Sequence, residues 1–246
     1  MCLLYKAEEK YTKIMKRDFK QLVIKPVAYI KTDFPGKFGI PRQAGIVSEL
    51  EGKIIFEKEY QKDGILRGME EFSHLILIWG FSCLEEDKWS SMIRPPKLGG
   101  NEKVGVFASR SPNRPNPLGF SVVKIKEIKT EKGLGSVIYV TGADMVSNTP
   151  IYDIKPYLSY SDSFPDAKLG YATKPEAINL EVEIPDNFLN LIDEKDLNIL
   201  KKILSQDPRP GYKRDEQFSF EYGKYHIQFY VEDNIVKVID LKIIDK

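Results

Sequence analysis

Ser73-His74-Leu75-Ile76-Leu77-Ile78-Trp79-Gly80-Phe81-Ser82-Cys83 is the most continuously apolar stretch of the chain. It is far shorter than the roughly 20 apolar residues a membrane helix needs. Its length and its isoleucine and aromatic content read as a central strand buried on both faces. Working outward, strand-like runs stand at 22–30 and at 53–60, the latter after a Glu51-Gly52 turn signal. On the other side they stand at 103–109, 121–128 and 136–141, the last two flanking Glu131-Lys132-Gly133, a hairpin signal. Residues 63–72 read as one short helix. Most gaps between these runs are too short for the crossovers of a parallel sheet. Many short strands joined by Gly/Pro turns predict a mainly β fold, a small antiparallel β-barrel.

Near residue 160 the texture changes. Residues 159–166 are polar and turn-rich and read as a boundary. Beyond them come a strand at 180–184 and a helix over 186–204. Leu189, Ile192, Ile199 and Ile203 form the apolar stripe of that helix. A terminal hairpin, 225–231 and 235–244, turns at Glu232-Asp233-Asn234. The expected organisation is an N-terminal extension (1–21, with a weakly amphipathic helix at 14–19), a barrel domain (22–163) and a smaller α+β C-terminal domain (164–246). The last is marginal alone and expected to pack on the barrel.

Composition narrows the chemistry. The chain has 246 residues, 42% hydrophobic and 30% charged, long enough for a sizeable core and unlike a disordered or fibrous sequence. The N-terminal Cys2-Leu3-Leu4-Tyr5 is followed at once by charges, unlike a secretory signal, so a cytoplasmic protein without a membrane segment is expected. Two cysteines (Cys2, Cys83) and two histidines (His74, His226) argue against a metal site. His74, inside the apolar strand, reads as a packed histidine rather than a catalyst. No Gly-x-Gly-x-x-Gly follows a strand, so no Rossmann-type nucleotide site is visible. Net charge is only +1, but the window 94–124 carries net +5 in a Pro/Gly-rich setting. Such a window reads either as a solvated loop or as a surface facing phosphates.

Three loops are unusual: Phe38-Gly39-Ile40-Pro41-Arg42-Gln43-Ala44-Gly45, Arg94-Pro95-Pro96-Lys97-Leu98-Gly99-Gly100, and 108–119. In the third, Pro112, Pro115 and Pro117 fix φ and stiffen the chain before any ligand arrives. Arg110 and Arg114 offer planar forks suited to carboxylate or phosphate. The same loop also reads as a rigid crossover with solvated arginines.

Together with Gly68-Met69-Glu70-Glu71-Phe72-Ser73-His74-Leu75, Asp153-Ile154-Lys155-Pro156-Tyr157 and the late Gln206-Asp207-Pro208-Arg209-Pro210-Gly211-Tyr212, these loops resemble the TrmO family in unbroken order over about 22–246. That family comprises S-adenosylmethionine (SAM)-dependent tRNA methyltransferases with a TsaA-like domain. The resemblance implies a SAM-binding barrel acting as a homodimer on tRNA. It implies methylation at N6 of threonylcarbamoyladenosine, the modified base beside the anticodon. It implies SAM contacts at Pro41, Arg42, Gln43, Arg110, Leu118, Thr149 and Pro150.

Two departures occur. Ser82-Cys83 stands where relatives typically carry His-Gln, and Ser147-Asn148 precedes Thr149-Pro150 where they read Asp-Gly. These four positions are carried as cofactor-site candidates, with Asn148 expected to keep a left-handed turn. Asp144 and Asp153 are the candidate general bases, each also readable as a turn anchor. Arg114 and Tyr157 are the candidate substrate contacts, for a carboxylate or phosphate and for a stacked base. The competing readings are a SAM- or RNA-binding module without methyl transfer, and a small-molecule methyltransferase on the same barrel.

Overall fold

Six strands close into an antiparallel barrel in the computed structural model, which describes residues 22–84, 89–95, 98–99, 101–172, 179–209 and 216–244. The expected extension 1–21 with its helix, Pro96-Lys97 and Gly100 of the second loop, and Pro210-Gly211-Tyr212 lie outside the described residues. In chain order the strands are β1 (Ala28–Thr32), β2 (Glu51–Phe56), β3 (His74–Gly80), β4 (Met92–Ile93), β5 (Val104–Gly105), β6 (Leu118–Glu131), β7 (Gly135–Thr141) and β8 (Thr149–Pro156). The barrel order is β1-β2-β7-β6-β3-β8, with β8 closing back onto β1, while β4 and β5 form a separate two-stranded ribbon.

The 73–83 stretch is the centre of this arrangement. Leu75, Leu77 and Trp79 point inward and meet Ala28, Ile30, Ile54, Val123, Ile138, Val140 and Ile151. Ile76 and Ile78 alternate with them and face outward between β6 and β8, so both faces are apolar as expected.

Several elements differ from the sequence expectation for identifiable reasons. Of the run 22–30, strand β1 begins at Ala28, and backbone bonds reach one residue further, with Val27 N donating to Ile151 O and Glu57 N to Val27 O; Pro26, with no N–H to give, stands where the ladder stops. The expected helix at 63–72 is a series of turns with a 3-10 turn at Met69–Glu71, because Gly64 (φ 78°) and Gly68 (φ 84°) are left-handed. The run 53–60 leaves the sheet at Phe56 and ends in a 3-10 turn, Lys58–Tyr60. The run 103–109 keeps two strand residues before the 3-10 turn Val106–Ala108. Strand β8 was not expected as a strand, since Pro150 and Pro156 interrupt its pattern. It nevertheless sits between β1 and β3, with those prolines opposite Tyr29 and Leu75.

The second layer is a four-stranded sheet, β10-β11-β12-β9, made of β9 (Glu181–Glu183), β10 (Phe218–Tyr222), β11 (Tyr225–Glu232) and β12 (Ile235–Ile243). The terminal hairpin turns through Asp233 (φ 49°) and Asn234 (φ 63°), the paired left-handed residues a two-residue loop requires. After the one-turn α1 (Ser159–Asp162), the expected helix 186–204 is two helices, α2 (Asp186–Leu189) and α3 (Glu194–Ser205). Asp193 is extended (ψ 144°) at the start of α3, with Glu194 and Asp196 in its first turn where acids favour the helix dipole. Ile199, Leu200, Ile203 and Leu204 bury α3 against Phe220, Ile227, Phe229 and Val236.

That second core is not self-sufficient. Phe34, Val47 and Leu50, all from the β1–β2 connection of the barrel domain, are buried in it. The ring of Phe34 meets that of Tyr222 edge-on at 5.3 Å. Phe34→Ala is therefore expected to cost about 3–5 kcal/mol of stability, the usual penalty for a truncated core aromatic. Urea unfolding followed by near-ultraviolet circular dichroism measures it, and a loss under 1 kcal/mol would show that the two layers are not fused.

Candidate active site

The strand directions decide where the functional loops go. Thr32 ends β1, Gly80 ends β3 and Thr141 ends β7, while Glu51, Leu118 and Thr149 begin β2, β6 and β8. Their registers set all six at the same end of the barrel. The connections 33–50, 81–117 and 142–148 therefore share one rim.

Backbone hydrogen bonds knit the 142–148 connection to the 33–50 connection. Ser147 N donates to Phe34 O and Asn148 N to Ile30 O, each at 2.7 Å, and Gly45 N donates to Gly142 O at 3.0 Å. Thr32 Oγ1 donates to Met145 O at 2.9 Å, and its own amide donates to Ser147 Oγ. Asn148 is left-handed (φ 67°), as the turn requires. It presents Thr149, which is buried and donates through Oγ1 to Val146 O at 2.7 Å. Ser82 Oγ lies 3.3 Å from that hydroxyl, so the departure at Ser82-Cys83 still places a polar group beside Thr149-Pro150. Cys83 is exposed next to it.

On the other side of the rim, Arg110 Nη1 donates to Gln43 Oε1, joining the first and third loops. Pro41 is buried beneath the exposed Arg42 and Gln43. Arg114 turns back on its own loop, donating to Ser109 O at 3.0 Å. Ser111 N and Asn113 N donate to the hydroxyls of Ser109 and Ser111, so short side chains as well as prolines hold this loop. Leu118 starts β6 with its side chain 40% exposed.

The two candidate bases have different settings. Asp144 lies under the rim and accepts from Ser121 Oγ at 2.7 Å; Ser121 in turn accepts from Trp79 Nε1 at 2.9 Å inside the barrel. Burial pushes the Asp144 carboxyl above the ordinary carboxylate range. Its bond from Ser121, the backbone amides of Asp144 and Ala44, and the charge of Arg110 oppose that push. Asp153 faces outward opposite Ile78 and forms an ion pair with Lys155 at 2.6 Å. Tyr157 is not gathered with the rest. Its amide donates to His74 O at the other end of the barrel, and its ring meets the His74 ring at 6.2 Å.

The sequence reading missed Trp79 and Ser121 as parts of this site. The available signal was a lone hydroxyl at an inward position in Gly119-Phe120-Ser121-Val122-Val123. Gly119 also has a function there: a β-carbon would lie 2.2 Å from the Trp79 ring. Among the described residues, no group of three His, Cys, Asp or Glu side chains could hold a metal ion. No described helix is long and apolar enough to cross a membrane.

This fold is similar to that of solved TrmO structures. One from Pseudomonas aeruginosa superimposes with a TM-score of 0.69 at 25% identity, covering 92% of this chain and 100% of that one. The family models for the tRNA-methyltransferase O N-terminal domain and the TrmO C-terminal domain match residues 29–163 and 178–244. The chain belongs to the TrmO family. It is 38% identical over 214 residues to a tRNA (adenine(37)-N6)-methyltransferase of Escherichia coli K12, covering 83% of this chain and 89% of that protein. It is 34% identical over 200 residues to a putative S-adenosylmethionine-dependent methyltransferase of Pseudomonas aeruginosa, covering 78% and 84%.

Asp144 generates a test by its titration. Its folded-state pKa is raised, so the folded protein binds this proton more tightly than the unfolded chain does. Stability from this group is present below the ordinary carboxylate pKa and is lost as pH rises through the raised value. The stability of the wild type minus that of Asp144→Asn is therefore expected to fall as pH rises across that window. Urea titrations of both proteins from about pH 4 to pH 8 measure it. A difference that grows with pH would contradict the assignment.

Proposed function

We propose that this chain methylates N6 of threonylcarbamoyladenosine beside the anticodon of tRNA, using SAM seated at the barrel rim. The observation that carries the reading is the convergence at that rim of Arg42, Gln43 and Arg110 on one side and Ser82, Thr149 and Pro150 on the other. Membership of the TrmO family and the relatives' activity as tRNA (adenine-N6) methyltransferases support it.

The rim fits an amino-acid nucleoside. Two guanidinium groups suit a carboxylate, and the Gln43 amide and the Ser82 and Thr149 hydroxyls suit amine and ribose oxygens. Ser147 and the left-handed Asn148 shape the turn that presents Thr149-Pro150, Pro41 underlies Arg42, and Leu118 and Cys83 lie at the edge. When bound, SAM supplies a methyl group already activated by its sulfonium. The protein's work is then to orient N6 toward that methyl and to exclude water. In threonylcarbamoyladenosine, N6 belongs to a urea-like group whose lone pair is delocalised, so loss of its proton assists transfer. Of the two carboxylates, Asp144 is the one under the rim, and burial raises its basicity toward that of a useful base. The charge of Asp153 is tied to Lys155 on the outer wall. Arg114, braced on its loop, stands beside the cofactor seat where a threonyl carboxylate or a phosphate would come. Tyr157 serves RNA only if the substrate also reaches the far end of the barrel.

A homodimer accompanies this reading. The outer wall of β6 exposes Phe120 (52%) and Leu118 (40%), with Ile78 of β3 opposite Phe120, and apolar side chains so placed suit a second copy. The reading places the enzyme in the cytoplasm with its tRNA and assigns no role to a metal.

Mass spectrometry of tRNA nucleosides from cells with and without the gene is expected to show loss of N6-methylated threonylcarbamoyladenosine; an unchanged level would overturn the reading. Arg110→Ala is expected to weaken SAM binding roughly ten- to hundred-fold, the range for losing a charge-assisted hydrogen bond, without unfolding the protein. Calorimetry with SAM measures this, and wild-type affinity would remove Arg110 from the seat.

A further inference from the structure

The loop bearing Arg42 and Gln43 is fastened to the C-terminal layer as well as to the barrel. Before the pair, Gly223 N donates to Asp33 O at 2.7 Å, and Phe34 packs edge-on against Tyr222. Gly39 (φ 83°) lies flat on the Phe220 ring, so closely that a β-carbon there would stand 2.3 Å from Phe220 Cδ2. Ile40 packs into the same core. After the pair, Val47 and Leu50 are buried in that core as well. Glu49 and Glu51 are ion-paired to Lys202 and Lys195 of α3. The barrel holds the same segment through Ser147 N on Phe34 O, Gly142 N and Ala143 N on Leu50 O, Gly45 N on Gly142 O, and the Ala44 amide toward Asp144, but none of these bonds falls at Gly39–Arg42. Both ends of the segment that presents Arg42 and Gln43 thus bear on residues 195–223 as well as on the barrel, and at Gly39 and Ile40 the contact is with the C-terminal layer.

We infer that Phe220 is a positioning residue for SAM, and that the C-terminal layer registers the Arg42-Gln43 segment of the cofactor seat against Arg110 and the rest of the rim. The inference rests on the reading that Arg42, Gln43 and Arg110 seat SAM. The physical reason is directness. Two residues separate Gly39 from Arg42, Pro41 stiffens the step between them, and the Gly39 backbone touches the ring without an intervening side chain. A shift of Phe220 bears directly on the Gly39 backbone, three residues before Arg42, whereas Val236 stands on β12, two strands over from β10 in the sheet. Phe220 itself makes no contact with cofactor or substrate in this scheme.

The test compares three full-length variants by calorimetry with SAM and by steady-state kinetics with tRNA. Phe220→Leu keeps an apolar side chain in the core but removes the flat face under Gly39. Val236→Ala injures the same core away from the loop. Arg110→Ala removes the seat. Phe220→Leu is expected to raise the Kd for SAM between about two- and thirty-fold, the span over which residues outside a ligand contact alter affinity. Its kcat at saturating SAM and its KM for tRNA are expected to stay near wild type, and Val236→Ala is expected to bind SAM normally despite a lower melting temperature. Wild-type SAM affinity in Phe220→Leu, with affinity lost in Arg110→Ala, overturns the inference while leaving the site intact. Equal losses in Phe220→Leu and Val236→Ala also overturn it, since the effect would then be general loosening. Wild-type affinity in Arg110→Ala would instead bring down the site reading on which the inference stands.

Discussion

Antiparallel closure is the constraint on which the rest of the molecule depends. Each strand of the barrel reverses the direction of its neighbours, so successive connections alternate between the two ends. The connections 33–50, 81–117 and 142–148 fall at one end; 57–73 and the three-residue turn 132–134 fall at the other. The ladder leaves no freedom in this. A rim of three loops, distant in sequence, becomes a single surface because β3 is paired on one side with β6 and on the other with β8. The inward side chain of Trp79 fills the barrel just beneath that surface. Its indole hydrogen bond to Ser121, passed on to Asp144, gives the floor of the rim a fixed polar anchor. A buried polar chain with every member satisfied favours one arrangement over its alternatives.

The barrel also completes its neighbour. A sheet of four strands with one twelve-residue helix has too little apolar surface to form a robust core alone. Phe34, Val47 and Leu50 supply what is missing. The segment that donates them is the one that carries Arg42 and Gln43, so stability of the second layer and geometry of the rim are invested in one stretch of chain.

Much of this was legible in the sequence where a single physical signal dominated. The apolar run 73–83 announced a strand with two buried faces, and the hairpin around Asp233-Asn234 carried its own turn residues. The expected loop residues Gln43 and Arg110 do meet, and Ser82 does reach Thr149, because stiff turns hold them where the strand ends point. Signals failed where tertiary pairing overrode local pattern. The two prolines of β8 masked a strand whose place is set by neighbours on both sides. Two left-handed glycines dissolved an apparent helix at 63–72. An even apolar stripe hid the break at Asp193, which only a capping argument would have found. Tyr157 is the candidate for a stacked base, but eight residues of extended chain carry it to the end of the barrel opposite the rim. No local pattern could have revealed the pairing of Phe220 with Gly39, because they lie far apart in sequence and neither is unusual alone.

Closure has one more consequence, for the crowded conditions in which the chain is made. The barrel wall, once joined between β1 and β8, offers no row of free amides and carbonyls to a stray strand. Among the described residues, that hazard passes to the C-terminal sheet, whose outer strands are β10 and β9. Strand β9 is three residues long, and its outward positions are the exposed acids Glu181 and Glu183. Brevity and negative charge at that border discourage edge-to-edge stacking of one molecule on the next there, so the β9 edge is guarded by composition where the barrel is guarded by topology.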